Sequence, residues 1–220
     1  MPSDLGHFPM PLPILIVGGA PRLRVDAVRF LSVAASGDTA VALGQALRQR
    51  GRTVDLLLGI LARPEVAALR YEGREELEAG LQSWVGQHPD GVVVMSAAIN
   101  DYTVAQVERH HGGQSEVFSP GQKVPSGGDE VVIRLRPASK VIDRLAGWGH
   151  RGPLVGFKYE DRATVLASAE ALRRRTGAVL VVANSLCHKV QALVDAEGIH
   201  PCADRPALLA ALTEAIATRS

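Results

Sequence analysis

Short β-branched apolar runs alternate along this chain with longer stretches of helical spacing, and that alternation constrains the fold more than any other feature. Residues 14–17 form a continuous apolar run closed by Gly18-Gly19, which suits a strand buried on both faces. A helix opens at Ser36-Gly37-Asp38 and reaches about Arg50, with Ala40, Leu43, Ala46 and Leu47 on one face and Gly51 as its stop. Residues 53–58 and 91–95 read as further strands, and between them residues 75–85 place Leu77, Leu81, Trp84 and Val85 on one helical face. Beyond residue 139 the spacing predicts a helix near 140–148, a strand at 154–157, a helix over 163–175, strands at 179–182 and 190–194, and a last helix over 205–219.

Buried strands each followed by a helix predict an α/β fold: a doubly wound, Rossmann-like, mostly parallel sheet with helices on both faces. In such sheets ligands bind beyond the carboxyl ends of the strands. The positions to watch are therefore Gly18-Gly19, residues 97–101, residues 157–160 and Asn184. Between residues 104 and 128 the alternation stops. His110-His111-Gly112-Gly113, Pro120-Gly121 and Gly127-Gly128 are turn chemistry flanking two β-like stretches near 116–118 and 130–135, so a protruding hairpin flap is expected over about 104–135. Residues 1–12 read as a loose lead-in and 13–220 as one nucleotide-binding α/β domain.

Composition excludes several functions. At 220 residues and 46% apolar content the chain can bury a core without disulfides. The 24 basic and 23 acidic residues leave a net charge of +1, which argues against a nucleic acid or an anionic membrane as partner. Aromatic residues make up 4%, too few for base stacking. Cys187 and Cys202 form no CxxC pair, and with His188 and His200 they lack zinc-finger spacing. No metal site is read from the sequence. No basic segment precedes the run at residue 14 and no apolar run is long enough to span a bilayer, so a cytoplasmic protein is expected.

Taken alone, each candidate site element keeps two readings. Gly18-Gly19-Ala20-Pro21 is either a tight strand exit or a close backbone approach to a nucleotide; it lacks GxGxxG and P-loop spacing. Ala35-Ser36-Gly37 either caps a helix or offers an anion site in which Ser36 donates to phosphate. In Ser96-Ala97-Ala98-Ile99-Asn100-Asp101-Tyr102 the small residues let a ligand lie against the backbone, while Asp101 either holds a ribose hydroxyl or a cation, or caps the next turn. Lys123 is either solvated surface or a flap cation for phosphates. The run Arg173-Arg174-Arg175 at a helix end is explained by dipole pairing and solvation.

Several of these segments follow one another in the order of a known family. Ile14-Leu15-Ile16-Val17-Gly18-Gly19 with Val25-Asp26-Ala27-Val28-Arg29-Phe30-Leu31-Ser32 resembles the pattern GGTxxxIDxVRxISNxSSG of the phosphopantothenoylcysteine synthetases. The 96–102 segment is similar to the family's AAVADY, and Lys123-Val124-Pro125-Ser126-Gly127 to its lysine flap. Val155-Gly156-Phe157-Lys158-Tyr159-Glu160 matches GFKxE, and Val182-Ala183-Asn184-Ser185-Leu186 matches VANDL, so the resemblance covers about residues 13–195. It implies a ligase of coenzyme A biosynthesis that activates the carboxylate of 4′-phosphopantothenate with CTP or ATP and Mg²⁺, then couples it to cysteine. It further implies a homodimer formed through the flap. Lys123, Asp101 and Asn100 become the catalytic candidates. Gly18, Gly19, Ser36, Gly37, Ser96, Ala97, Ala98, Asp101, Ser139, Lys140, Phe157 and Arg175 become the nucleotide-binding set, with Val33 and Asn184 on the acyl-substrate side. A chain of this length would fit the ligase part alone, without the flavin-binding decarboxylase that bacterial relatives often carry in front.

Departures from the pattern matter for chemistry. Val33 stands where the family has the asparagine of NxSSG, Ala35 replaces its first serine, and Ala20 the threonine of GGT. Valine can neither stabilise a carbonyl oxygen nor orient an amine, and losing one such donor costs on the order of a hundredfold in rate. Asn100, beside Asp101, could return an amide to the site, although neighbours along an extended chain point opposite ways. A divergent ligase and a degenerate relative that binds nucleotide or a pantetheine-like ligand without completing turnover both fit. A Rossmann-type oxidoreductase does not, since GxGxxG is absent and Tyr102 has no lysine four residues on.

Overall fold

The computed structural model describes residues 11–119 and 121–220; the expected lead-in lies almost wholly outside them. In chain order the first half contains β1 (Ile14–Gly18), β2 (Leu23–Arg24), β3 (Phe30–Leu31), α1 (Asp38–Gln49), β4 (Val54–Gly59), β5 (Leu69–Tyr71), α2 (Arg74–Gln87) and β6 (Val92–Met95). An antiparallel excursion follows in β7 (Tyr102–His111), β8 (Gln114–Phe118) and β9 (Glu130–Pro137). The chain then returns through β10 (Leu154–Glu160), α3 (Val165–Thr176), β11 (Leu180–Ser185), β12 (Gln191–Val194), β13 (Ile199–Pro201) and α4 (Arg205–Ala217).

Eight strands make the central sheet in the order β13-β12-β11-β10-β6-β1-β4-β5. The six from β11 to β5 are parallel, and β12 and β13 add an antiparallel edge. Alternation along β1 explains the layers. Leu15 and Val17 pack with Leu77, Leu81 and Trp84 of α2 and Val165 and Leu172 of α3, while Ile14 and Ile16 pack with Leu43 and Leu47 of α1 and Leu208 and Leu212 of α4. Each such side chain contributes roughly 1.5–3 kcal/mol by leaving water, so the strand is held from both sides. From β1 the chain builds one half of the sheet through β4 and β5, then crosses to β6 to build the other. The space beyond β1 and β6 is the topological switch point, where such sheets bind ligands.

The excursion differs from the expected hairpin. It is a three-stranded sheet in which β7 pairs with both β8 and β9, with an irregularity between Val104 and Gln106. The sequence hides β7 because its residues are mostly half-exposed and polar. The helix expected near 140–148 is instead two 3-10 turns, Val141–Arg144 and Ala146–Trp148, ended by Gly149 at φ 94°. Eight residues containing Gly147 are too few to propagate an α-helix. The short strands β2, β3, β5 and β13 carry no periodic signal and appear only through their pairing.

Candidate functional site

A cleft of about 670 Å³ opens at the switch point, lined by the loops after β1 and β6, the carboxyl end of β10, the start of α1, the end of α3 and the start of α4. Its size is ordinary for a small-molecule site. The floor exists because Gly18 and Gly19 let neighbouring elements come close. A Cβ on Gly18 would lie 2.4 Å from the Ala40 Cβ of α1, and Gly19 sits at φ +80° with the Gly59 backbone nitrogen 3.1 Å from where its Cβ would be. Gly19 lines the cleft, whereas Gly18 is fully buried beneath it.

The loop after β6 is stitched to that after β1. Ser96 Oγ donates to the Val17 carbonyl at 2.6 Å, and the Ala98 N–H donates to the Gly19 carbonyl. Ser96, Ala97, Ala98, Asn100 and Asp101 all line the cleft. The Ser96 hydroxyl is thereby committed to the scaffold. Asn100 Oδ1 accepts the Tyr102 N–H at 3.0 Å, so its carbonyl holds a turn. Asp101 is paired with Lys140 at 3.0 Å.

At the start of α1, Gly37 takes a left-handed conformation and supplies no side-chain cap. Ser36 Oγ makes only a long contact, 3.3 Å, with the Asp38 N–H. Ser36, Gly37 and Thr39 line the cleft, with Arg205 donating to Thr39 Oγ1 at 3.0 Å. On the opposite wall Arg175 is paired with Asp143, Lys140 with Asp101, and Lys158 with Glu160 at 2.8 Å. The Lys158 ammonium, helped by Ser168 and Thr164, holds the Glu160 carboxyl below its usual range. Among the described residues, Arg205 is the one arginine or lysine lining the cleft that has no carboxylate partner.

Phe157, Ser139 and Asn184 also line the cleft. The Ser139 carbonyl accepts from Arg74, which ties the segment before Lys140 to α2. Asn184 Oδ1 is buried and has no hydrogen-bond partner among the described residues, so it lacks a donor that a ligand N–H or O–H can supply. Val33 is 43% exposed and lines the cleft with an apolar side chain. Lys123 is not among the lining residues. Its loop lies at the base of the three-stranded sheet, where Val124 packs with Val25, Val107 and Phe118.

Sequence reasoning missed Arg205, Thr39, His188 and Gln191, all of which line the cleft. Sheet order brings the starts of α1 and α4 together, and no local spacing encodes that. His188 alone had a signal, since it follows the Asn184 segment, and it takes a left-handed φ of 57°. No group of three or more metal-ligating side chains occurs among the described residues, and no described helix is long and apolar enough to cross a membrane.

A Rossmann-like sheet with a cleft of small residues and paired cations at its switch point defines the class: a doubly wound α/β protein with a small-molecule site where such sheets bind ligands. Residues 12–200 match the family described as DNA/pantothenate metabolism flavoprotein C-terminal domain, and the chain belongs to this family, in agreement with the synthetase resemblance of its motifs. The coenzyme A biosynthesis bifunctional protein CoaBC of Thermococcus kodakarensis is 30% identical over 178 residues, 79% of this chain and 41% of that protein. The same protein of Escherichia coli K12 is 28% identical over 193 residues, 86% of this chain and 44% of that protein. The chain thus spans less than half the length of these relatives. The DNA/pantothenate metabolism flavoprotein of Streptococcus pneumoniae shares the fold with a TM-score of 0.78 at 19% identity, covering 95% of this chain and 100% of that one. The C-terminal domain of a CoaBC protein superposes with a TM-score of 0.70 at 20% identity, over 94% of each chain.

Proposed function

We propose that this chain is a nucleoside triphosphate-dependent ligase that joins a phosphopantothenate-like acid to a cysteine-like amine. The observation that carries the reading is the single cleft that gathers Gly19, Ser36, Gly37, Ala97, Ala98, Asp101, Lys140, Phe157, Arg175 and Asn184 from seven segments. A carboxylate is a poor acyl donor at neutral pH. Its oxygen attacks the α-phosphorus of CTP or ATP, the bond to the β-phosphate oxygen breaks, and pyrophosphate leaves. The amine then attacks the acyl carbon, loses a proton and expels the nucleoside monophosphate.

The α1 amides and Arg205 favour phosphate oxygens from one side, and Lys140 and Arg175 from the other. Mg²⁺ would neutralise charge on the triphosphate. The scattered, ion-paired carboxylates of the cleft, Asp38, Asp101 and Glu160, fit an ion held mainly by phosphates and water, to which Asp101 would add a protein oxygen. Lys123 does not line the cleft of its own chain, and a homodimer in which the flap carries Lys123 to a partner's cleft accommodates that placement. We take residues 13–220 as one such nucleotide-binding domain, working in the reducing cytoplasm with its two cysteines free.

One observation favours a second reading, in which the chain binds nucleotide or the acyl-nucleotide without forming the amide: Val33 presents no donor or acceptor to the cleft. The two are separated by incubating the protein with Mg²⁺, 4′-phosphopantothenate and either CTP or ATP, following pyrophosphate, and then adding cysteine. The ligase reading expects pyrophosphate and then amide. Pyrophosphate without amide supports the second reading, and V33N is then expected to raise amide formation about a hundredfold. Nucleotide binding with no pyrophosphate from either nucleotide overturns the ligase reading for this acid.

A further inference from the structure

Asp26 is the one charged side chain buried among the described residues, and nothing in the cleft touches it. Its surroundings explain why it is there. Oδ1 accepts the N–H of Val28 at 2.8 Å and of Arg29 at 2.7 Å, closing the turn between β2 and β3. Oδ2 accepts from Arg29 Nε at 2.9 Å and from the backbone N–H of Val124 at 3.1 Å, across 98 positions of sequence. The same guanidinium donates through Nη2 to the Val124 carbonyl at 2.5 Å. Two residues earlier, Gln122 accepts the Ala27 N–H at 3.2 Å through its carbonyl. Lys123 is therefore bracketed: the carbonyl before it and both backbone polar groups after it are bonded to the 26–29 turn. Beneath this, Val25 and Val124 share an apolar cluster with Val107 of β7 and Phe118 of β8.

A surface turn does not require a buried carboxylate. Small side chains close such turns at the surface, and a charge taken out of water is costly unless fully bonded. We infer that Asp26 is a positioning residue for Lys123: with Arg29 it latches the lysine loop to the 26–29 turn, so that the ammonium is carried on a fixed base and only its side chain remains to be ordered. The catalytic consequence rests on the ligase reading, in which Lys123 meets phosphate; the latch itself does not. Preorganisation of this kind raises the rate of a step that depends on one placed cation, because the loop is not ordered anew in each turnover.

The test uses the full chain, with D26N as the isosteric variant. Amide exchange in the wild type is expected to show the Val124 N–H protected about tenfold to a hundredfold beyond those of Ser126 and Gly127, as a bond to a charged acceptor implies. In D26N that protection falls, and trypsin cleavage after Lys123 speeds up by a similar factor. For the reaction, kcat for pyrophosphate release drops about tenfold while the nucleotide KM stays within about twofold. In a K123A background D26N produces no further fall. Equal exchange of Val124 and its loop neighbours in the wild type overturns the latch, and that measurement stands even if D26N does not fold. Additive losses in the double variant overturn the link to Lys123. Absence of pyrophosphate from the wild type overturns the ligase reading alone, since exchange and proteolysis still decide the latch.

Discussion

Replacing Gly18 by alanine tests the close approach that builds the cleft floor. Gly18 has an ordinary strand backbone, so the substitution adds no torsional strain; its cost is steric. The new Cβ would lie 2.4 Å from the Ala40 Cβ and 3.0 Å from Leu58 Cδ2. Carbon atoms pack at about 3.5–4.0 Å, so α1 must move out by about 1 Å, while the Leu58 methyl can turn aside. Overpacking of this kind costs about 1–3 kcal/mol. At roughly 2–4 °C per kcal/mol for a chain of this size, G18A lowers Tm by about 4–8 °C for a mid-range cost of about 2 kcal/mol. A40G removes the opposing atom and alone costs about 1 kcal/mol in helix propensity. In the double variant the G18A penalty should largely vanish, leaving a coupling of about 1–2 kcal/mol in urea or thermal unfolding. Additive losses, or a G18A protein as stable as the wild type, would show that the contact between β1 and α1 does not set the position of the helix.

Two further outcomes follow from the site and its supports. R205A removes the unpaired cation beside Thr39 and should weaken nucleoside triphosphate binding about tenfold in calorimetry, more at low than at high salt; unchanged affinity for both nucleotide and phosphorylated acid removes Arg205 from anion binding. Asp26 titrates at about 2 instead of its ordinary 3.8: burial alone raises it, but the N–H groups of Val28, Val124 and Arg29 and the Arg29 side chain prevail. A depressed carboxyl stabilises the fold above its ordinary pKa and loses that effect as pH falls through the folded value, so stability should decline from about pH 4 to pH 2. D26N should flatten that part of the unfolding curve; an unchanged slope would assign the acid response to other carboxyls.

Much of the central sheet was legible because buried parallel strands read as continuous apolar runs, and 14–17, 91–95 and 154–157 are such runs. Strands lacking an apolar run were not. β5, at the sheet edge, is three residues long, and β7 is half-exposed along most of its ten. Asp101, Phe157 and Asn184 were legible because the strand-end rule and the family motifs agreed on them, and Lys140 and Arg175 through the family resemblance alone; all five line the cleft. Arg205 and Thr39 depend on which helices share a face of the sheet, information distributed over the whole topology. The bracketing of Lys123 was equally hidden, since the Asp26 carboxylate and the Arg29 guanidinium reach backbone atoms of Val124, up to 98 positions away, and no local spacing encodes that.

The ion pairs along the α3 wall shape how a ligand arrives. Lys140, Lys158 and Arg175 each hold a carboxylate, so the empty cleft projects little long-range field. Anions would then reach it at ordinary, weakly salt-dependent encounter rates, without strong electrostatic steering. On the ligase reading, recognition follows entry by exchange: a phosphate oxygen displaces a resident carboxylate from its cation. Discrimination is thereby written into how long the ligand stays more than into how fast it comes.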